Sequence, residues 1–276
     1  MAGNFQGREL CYGSQEFLAA SDWARGLPLN HRTPVVLGSV ARHPAMLRVL
    51  AAVWRLPVTD LRVRQSDADA WWFGDWFGPR RQLAWAVLDL PAGEDHYLVG
   101  RSRQALRTNL RHARARGVTS SRVTYETWFD AVSAVMRARD DTPGPEHDRP
   151  RPEQEVAFYV ARDACGTALA FAGAAVFGQF AVLFALVSRP DRQPDASWAR
   201  YQLHTSLAFD LGSCGAEHLL TGSALRVSAG HQYFQHLLGY RPRNLRVEMI
   251  RSPERFTKRP TGERRGVQVP VESPPG

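Results

Sequence analysis

Ser197-Trp-Ala-Arg-Tyr-Gln-Leu-His-Thr-Ser-Leu-Ala-Phe-Asp-Leu211, then Ala216-Glu-His-Leu-Leu-Thr221, then Ala229-Gly-His-Gln-Tyr-Phe-Gln-His-Leu-Leu238, is the stretch on which the fold turns. In the first segment Leu203, Leu207 and Leu211 recur at i, i+4 and i+8, and Trp198, Tyr201 and Ala208 widen the same apolar face. That period predicts a helix. Ser197, just after Pro194 and Asp195, is its expected N-cap, and Gly212 and Gly215 are expected to stop it. Residues 216–221 read as a short strand ended by Gly222, and 229–238 as a second helix closed by Gly239. Tyr240-Arg-Pro-Arg-Asn-Leu-Arg-Val-Glu-Met-Ile250 reads as a last strand.

Working outward, Glu155 to Ser188 holds three short apolar runs, 156–161, 168–176 and 180–187, split by Asp163-Ala-Cys-Gly166 and by Gly178-Gln179. Runs of that length between turn residues predict an antiparallel meander. The order is then meander, long helix, strand, helix, strand. This order, with its closing Leu238-Gly-Tyr-Arg241, resembles the GNAT acyltransferase fold, and within it the Fem-type branch of aminoacyl-tRNA-dependent transferases. Two features carry the closer resemblance. Arg101-Ser-Arg-Gln-Ala-Leu-Arg-Thr-Asn-Leu-Arg-His-Ala-Arg-Ala-Arg-Gly-Val118 looks like that branch's basic helix leading into the first strand of a GNAT domain. In addition, Arg189-Pro-Asp-Arg-Gln-Pro-Asp-Ala-Ser-Trp-Ala-Arg-Tyr201, where acetyl-CoA enzymes carry a Gly-rich loop, has no glycine. Without it, backbone approach to a pyrophosphate at a helix N-terminus is harder.

The resemblance implies an α/β (α+β) fold: a mixed, mostly antiparallel sheet with flanking helices, preceded by a reduced N-terminal subdomain. Expected boundaries are 1–97 for the arm and reduced subdomain, 98–252 for the GNAT-like domain with its leading basic helix, and 253–276 for a polar, Pro-rich flexible tail. The implied chemistry is transfer of an aminoacyl group from aminoacyl-tRNA to the amine of a small molecule or peptide by direct attack. The alternatives are an acyl-CoA-dependent N-acetyltransferase and a non-catalytic GNAT-like RNA-binding module.

Composition is consistent with each of these. Of 276 residues 44% are hydrophobic, enough for a sizeable core, and the formal net charge is +8 with Lys258 the single lysine. Codon bias accounts for arginine over lysine but not for the excess charge, which suits polyanions such as RNA or CoA phosphates. Cys11, Cys165 and Cys214 are odd in number and lack metal spacing, so a reducing cytoplasm is expected and no metal site. No apolar run reaches membrane-spanning length, and Met1-Ala-Gly-Asn4 lacks a signal-peptide pattern.

Before residue 98 the reading is a weakly patterned arm, a strand at Pro34–Gly38, a helix at His43–Pro57, strands at Asp60–Arg64 and Gln82–Leu90, and an aromatic run, Trp71–Pro79. That run is either a hydrophobic plug or a wall for a base or acyl chain. Past the basic helix come a strand at Thr119–Glu126 and a helix at Thr127–Arg139 with Phe129, Val132, Val135 and Met136 on one face. A Pro- and charge-rich loop, Arg139–Pro152, reads as a lid.

Site expectations follow the fold. The fourth strand of a GNAT sheet splays and exposes backbone N–H groups to an oxyanion, which points to Ala185, Leu186, Val187 and Ser188. His204, His231 and Tyr233 are the candidates for moving protons, each with a structural role as the competing reading. Arg103, Arg107, Arg111 and Arg114 recur on one helical stripe, either a solvated face or a rail for a phosphate backbone, with Leu106, Leu110 and Ala113 facing the core. Arg192 and Arg200 are further phosphate candidates. Fem-type enzymes carry a Phe-Lys pair in the last helix; here the match is Phe234-Gln235. No tightly bound cofactor is expected; the donor is aminoacyl-tRNA, or acyl-CoA in the alternative.

Overall fold

The computed structural model describes residues 51, 53–64, 81–90, 93–139, 155–225 and 227–250. The expected arm, the strand at 34–38, most of the helix at 43–57, the aromatic run, the lid beyond Arg139 and the tail lie outside them. The elements are β1 (Val58–Arg64), β2 (Arg81–Asp89), α1 (Glu94–Tyr97), α2 (Gln104–Ala115), β3 (Thr119–Val123), α3 (Tyr125–Arg137), β4 (Glu155–Arg162), β5 (Ala168–Phe177), β6 (Phe180–Ser188), α4 (Asp195–Ser213), β7 (His218–Ser223), α5 (Ala229–Leu238) and β8 (Arg241–Ile250).

The strands form one sheet in the order β1-β8-β2-β7-β6-β5-β4-β3. β1–β8 and β6–β7 are parallel and every other pair is antiparallel. This is the mixed, mostly antiparallel sheet expected, with the meander β4–β5–β6 feeding α4. Residues 51–97 put two strands into that same sheet, and β2 lies between β7 and β8.

Period-2 alternation divides the core. Ala157, Tyr159 and Ala161 of β4 share one cluster with Ala170, Ala172 and Ala174 of β5, Leu203, Leu207 and Leu211 of α4, and Phe234 and Leu238 of α5. The intervening residues, Phe158, Val160 and Phe171, pack on the opposite face under Trp128, Val132 and Val135 of α3. Alanine dominates the β5 face that meets α4, which lets a long helix lie close to the sheet. Leu106, Leu110 and Ala113 of α2 are buried against it.

Four local expectations are corrected. α4 begins at Asp195, so Ser197 lies inside its first turn and Pro194 stands at the N-cap. Gly212 lies within the helix; the left-handed residue just beyond its end is Gly215 (φ 92°). On α3 the deeply buried aromatic is Trp128, while Phe129 remains 39% exposed. α3 starts two residues early because Thr124 caps it, accepting a hydrogen bond from the Thr127 N–H.

Candidate functional site

β6 pairs with β7 only through Phe180, Ala181 and Val182, opposite His218, Leu219 and Leu220. β7 stays beside β2 as far as Ser223, so beyond Val182 the two strands part. On its other side β6 remains paired with β5 to Ser188, with a bulge opposite Gly173 and Ala174 that contains Phe184. The Phe184 ring covers the space where a Gly173 side chain would be, so glycine at 173 is what lets the bulge lie flat.

The ladder says which amides face the opening. The Arg189 N–H donates to Leu169 O at 2.9 Å, and the register runs unbroken from Ala170 opposite Ser188 to Gly173 opposite Ala185. N–H groups alternate sides along a strand, so those of Ala185 and Val187 turn to β5 and those of Leu186 and Ser188 toward the gap left by β7. Of the four residues expected on the oxyanion strand, these two have amides that face the gap.

A cavity of about 150 Å3 fills the gap. Leu183, Phe184 and Leu186 form its β6 wall, Thr221 its β7 wall, and His204, His231, Phe234, Gln235 and Tyr240 its helical side. Among the described residues no carboxylate lines it. His204 is fully buried, and its Nε2 lies 2.7 Å from the Tyr240 hydroxyl while its Nδ1 has no partner. Burial first, then the charge of Arg103 and the neighbouring His231, drives its pKa down to about 3. The ring is therefore neutral at neutral pH. His231 is also held below its usual value, by burial and then by Arg200.

Sequence-level candidates thus divide. His204 and His231 meet in one cavity, whereas Tyr233 is 60% exposed and does not line it. Tyr240 was missed as a site residue, although the Gly239-Tyr240 pair was visible in the sequence. Gly239 adopts the left-handed conformation that closes α5 and turns the chain so that Tyr240 reaches His204.

The arginine stripe also divides. Arg103 lies outside α2, in the 3-10 turn before it, and its guanidinium donates to Leu237 O at 2.9 Å and sits 4.9 Å from the Tyr97 ring centre. Tyr97 in turn donates to Leu238 O at 2.7 Å. Arg107 donates to the carbonyls of Leu98 and Gly100. Both are half-buried and tied to backbone, while Arg111 and Arg114 are exposed. Of the stripe read as either a solvated face or a phosphate rail, Arg103 and Arg107 are tied to carbonyls at the ends of neighbouring segments, and Arg111 and Arg114 are the exposed pair.

At the start of α4 three amides are bonded to the chain's own carbonyls. Ala196 N–H donates to Arg192 O at 2.9 Å, and Ser197 and Trp198 donate to Pro194 O at 2.9 and 3.2 Å. Asp195 brings a carboxylate to this end, 3.9 Å from Arg116. Arg189 is clasped by Asp191 through two hydrogen bonds of 2.7 and 2.9 Å. Arg192 is exposed, and the guanidinium carbon of Arg200 lies 4.3 Å from the ring centre of Phe234, which lines the cavity. Among the described residues no three His, Cys, Asp or Glu side chains come together as a metal set, and no helix is long and apolar enough to cross a membrane.

A meander, a strand that parts from its parallel neighbour, and a long helix laid across the sheet define a GNAT-like fold. Solved structures with likeness to this chain include FemX (11% identity, 71% of this chain and 65% of that one, TM-score 0.47). A C-terminal DUF2156 domain from Agrobacterium fabrum matches at 19% identity over 58% of each chain, with a TM-score of 0.42. L-PGS from Bacillus licheniformis matches at 13% identity over 60% of each, with a TM-score of 0.41. In each case the match spans less than two thirds of the other chain. No family model and no curated protein matches the sequence.

Proposed function

We propose that this chain is an N-acyltransferase that moves an aminoacyl group from aminoacyl-tRNA to the amine of a small molecule or peptide. The observation that carries the donor choice is the state of the α4 N-terminus. The amides of Ala196, Ser197 and Trp198 are bonded to Arg192 and Pro194 carbonyls, and Asp195 adds negative charge there. A CoA pyrophosphate would have to break those bonds and meet that carboxylate. An aminoacyl ester requires neither.

In the proposed reaction the acceptor's amine lone pair attacks the ester carbonyl carbon. The carbonyl oxygen takes up negative charge opposite the Leu186 and Ser188 N–H groups. As the tetrahedral intermediate collapses, the bond from carbon to the ribose oxygen breaks, and the amide remains. The amine proton passes to His231, which burial keeps neutral, and the ribose oxygen is reprotonated on leaving. Tyr240, which lines the cavity with its hydroxyl 2.7 Å from His204 Nε2, is the residue assigned to supply that proton, with His204 Nε2–H donating to it. Arg111 and Arg114 supply exposed positive charge for the tRNA backbone.

The test is transfer of a labelled amino acid from charged tRNA to an amine, with deacylated tRNA and acetyl-CoA as parallel arms. Label appearing in amide linkage supports the proposal. Low-micromolar acetyl-CoA binding by calorimetry would instead support an N-acetyltransferase, and tRNA binding without transfer a non-catalytic RNA-binding module.

A further inference from the structure

Among the described residues Arg200 has no counterion. Its Nε is buried without a hydrogen-bond partner, and among the described residues no carboxylate forms an ion pair with it. Its guanidinium carbon lies 4.3 Å from the centre of the Phe234 ring. Burial already lowers its proton affinity. A charge drawn from water is normally paired, and one that is not marks where a ligand's charge is received. Its position says which ligand. Phe234 is both the platform for Arg200 and a wall of the cavity, and His231, on the same wall, feels the Arg200 charge. A guanidinium over an aromatic ring makes no hydrogen bonds to it and keeps its N–H donors for another partner, and bidentate pairing with a carboxylate is a geometry that satisfies them. The cavity itself, about 150 Å3, has room for something the size of an amino acid rather than a nucleotide.

We infer that Arg200, seated on Phe234 beside His231, binds the carboxylate of the acceptor, so that the acceptor is an amino acid or short peptide carrying its own carboxylate. The acceptor role rests on the acyltransferase reading; the carboxylate seat does not. With the carboxylate anchored at the rim, the amine enters the cavity toward the open edge of β6. A cationic or neutral amine without a carboxylate would leave Arg200 uncompensated. The other charged and titratable groups facing this corner are Tyr201 and His204 from α4, Tyr233 from α5, Tyr240 beyond it, and Arg103 from the turn before α2.

The test needs no turnover. The His231 ring resonances, assigned with a His231→Gln variant, are followed by NMR through a pH titration. Acetate, β-alanine or inorganic phosphate is added at constant ionic strength in sodium chloride. A carboxylate on Arg200 cancels part of the charge that depresses His231, so acetate and β-alanine are expected to raise its midpoint saturably. Arg200→Met is expected to weaken that response about tenfold or more, and Arg192→Met to leave it unchanged. Absence of a saturable response to carboxylates overturns the inference, as does an equal response in Arg200→Met. A response to phosphate alone also overturns it and assigns Arg200 to the donor's phosphates. If Arg200→Met does not fold, Arg200→Lys decides, since it keeps the charge without the planar fork: undiminished affinity overturns the bidentate seat. A carboxylate response together with no transfer from any charged tRNA would leave the seat standing and remove the acyltransferase reading.

Discussion

Arg103 fills the space beside Gly239. Its guanidinium donates to Leu237 O, at the end of α5, and lies where a side chain on Gly239 would grow. Gly239 itself has φ 87° and closes the helix. A cation at a helix C-terminus and a left-handed glycine are separate stabilising devices, joined here at one turn. Gly239→Ala is expected to cost about 1–2 kcal/mol from the left-handed backbone alone, and more because Arg103 must move. Urea unfolding of Gly239→Ala, Arg103→Ala and the double variant checks this. The double variant should lose less than the sum, and strict additivity would show that the two residues do not share the space.

Acid should destabilise the protein through His204. Its pKa falls from 6.5 to about 3 on folding, so the unfolded chain binds the proton that the folded one refuses. The stability this neutral ring contributes is complete above pH 6.5 and is lost as pH falls toward 3, at about 1.4 kcal/mol per pH unit. His204→Gln should flatten that limb of a stability–pH curve. A wild-type curve with no slope between pH 6 and 4 would contradict it.

The arginines before and along α2 should part company under mutation. Arg107→Ala removes hydrogen bonds to Leu98 O and Gly100 O and is expected to cost about 1 kcal/mol, discounted for its partial exposure. Arg111→Ala should leave the melting temperature nearly unchanged. If Arg111 meets a phosphate, the substitution should flatten the log-affinity against log-salt slope for tRNA by roughly 0.7–0.9. Filter binding at several salt concentrations beside a melting curve distinguishes the two behaviours.

Gly173→Ala should disturb the cavity without touching it directly. The added methyl meets the Phe184 ring, which lines the opening between β6 and β7. The expected cost is about 1–3 kcal/mol, as for other overpacked core positions. Phe184→Leu in the same background should recover part of it. Equal stability of Gly173→Ala and wild type would show that the bulge relaxes freely.

Much of the fold was legible because its signals are local. Leu203, Leu207 and Leu211 are all buried on α4, as their spacing requires, and α5 runs from Ala229 to Leu238, where Ser228 and Gly239 place its caps. The meander followed from three apolar runs and two turns. The site was legible only in part. His204 and His231 could be placed on two helices, but not their meeting in one cavity, and a buried Tyr240 partner left no mark in the spacing. Arg103 and Arg107 had the period of an exposed stripe, yet the carbonyls they cap come from residues the period does not see.

By itself, then, the sequence determined the helices, most of the strands and the order that makes the fold GNAT-like, since hydrophobic period, caps and turns act within a few residues. Only the tertiary structure decided that β2 enters between β7 and β8, an insertion pinned by the buried Asn244, whose Oδ1 accepts the Ala84 N–H and whose Nδ2 donates to Val53 O. It likewise decided where β6 and β7 part and that the Nε of Arg200 is buried without a hydrogen-bond partner among the described residues. Those outcomes rest on contacts between residues up to about 190 positions apart, whose free energy depends on what the rest of the chain buries around them.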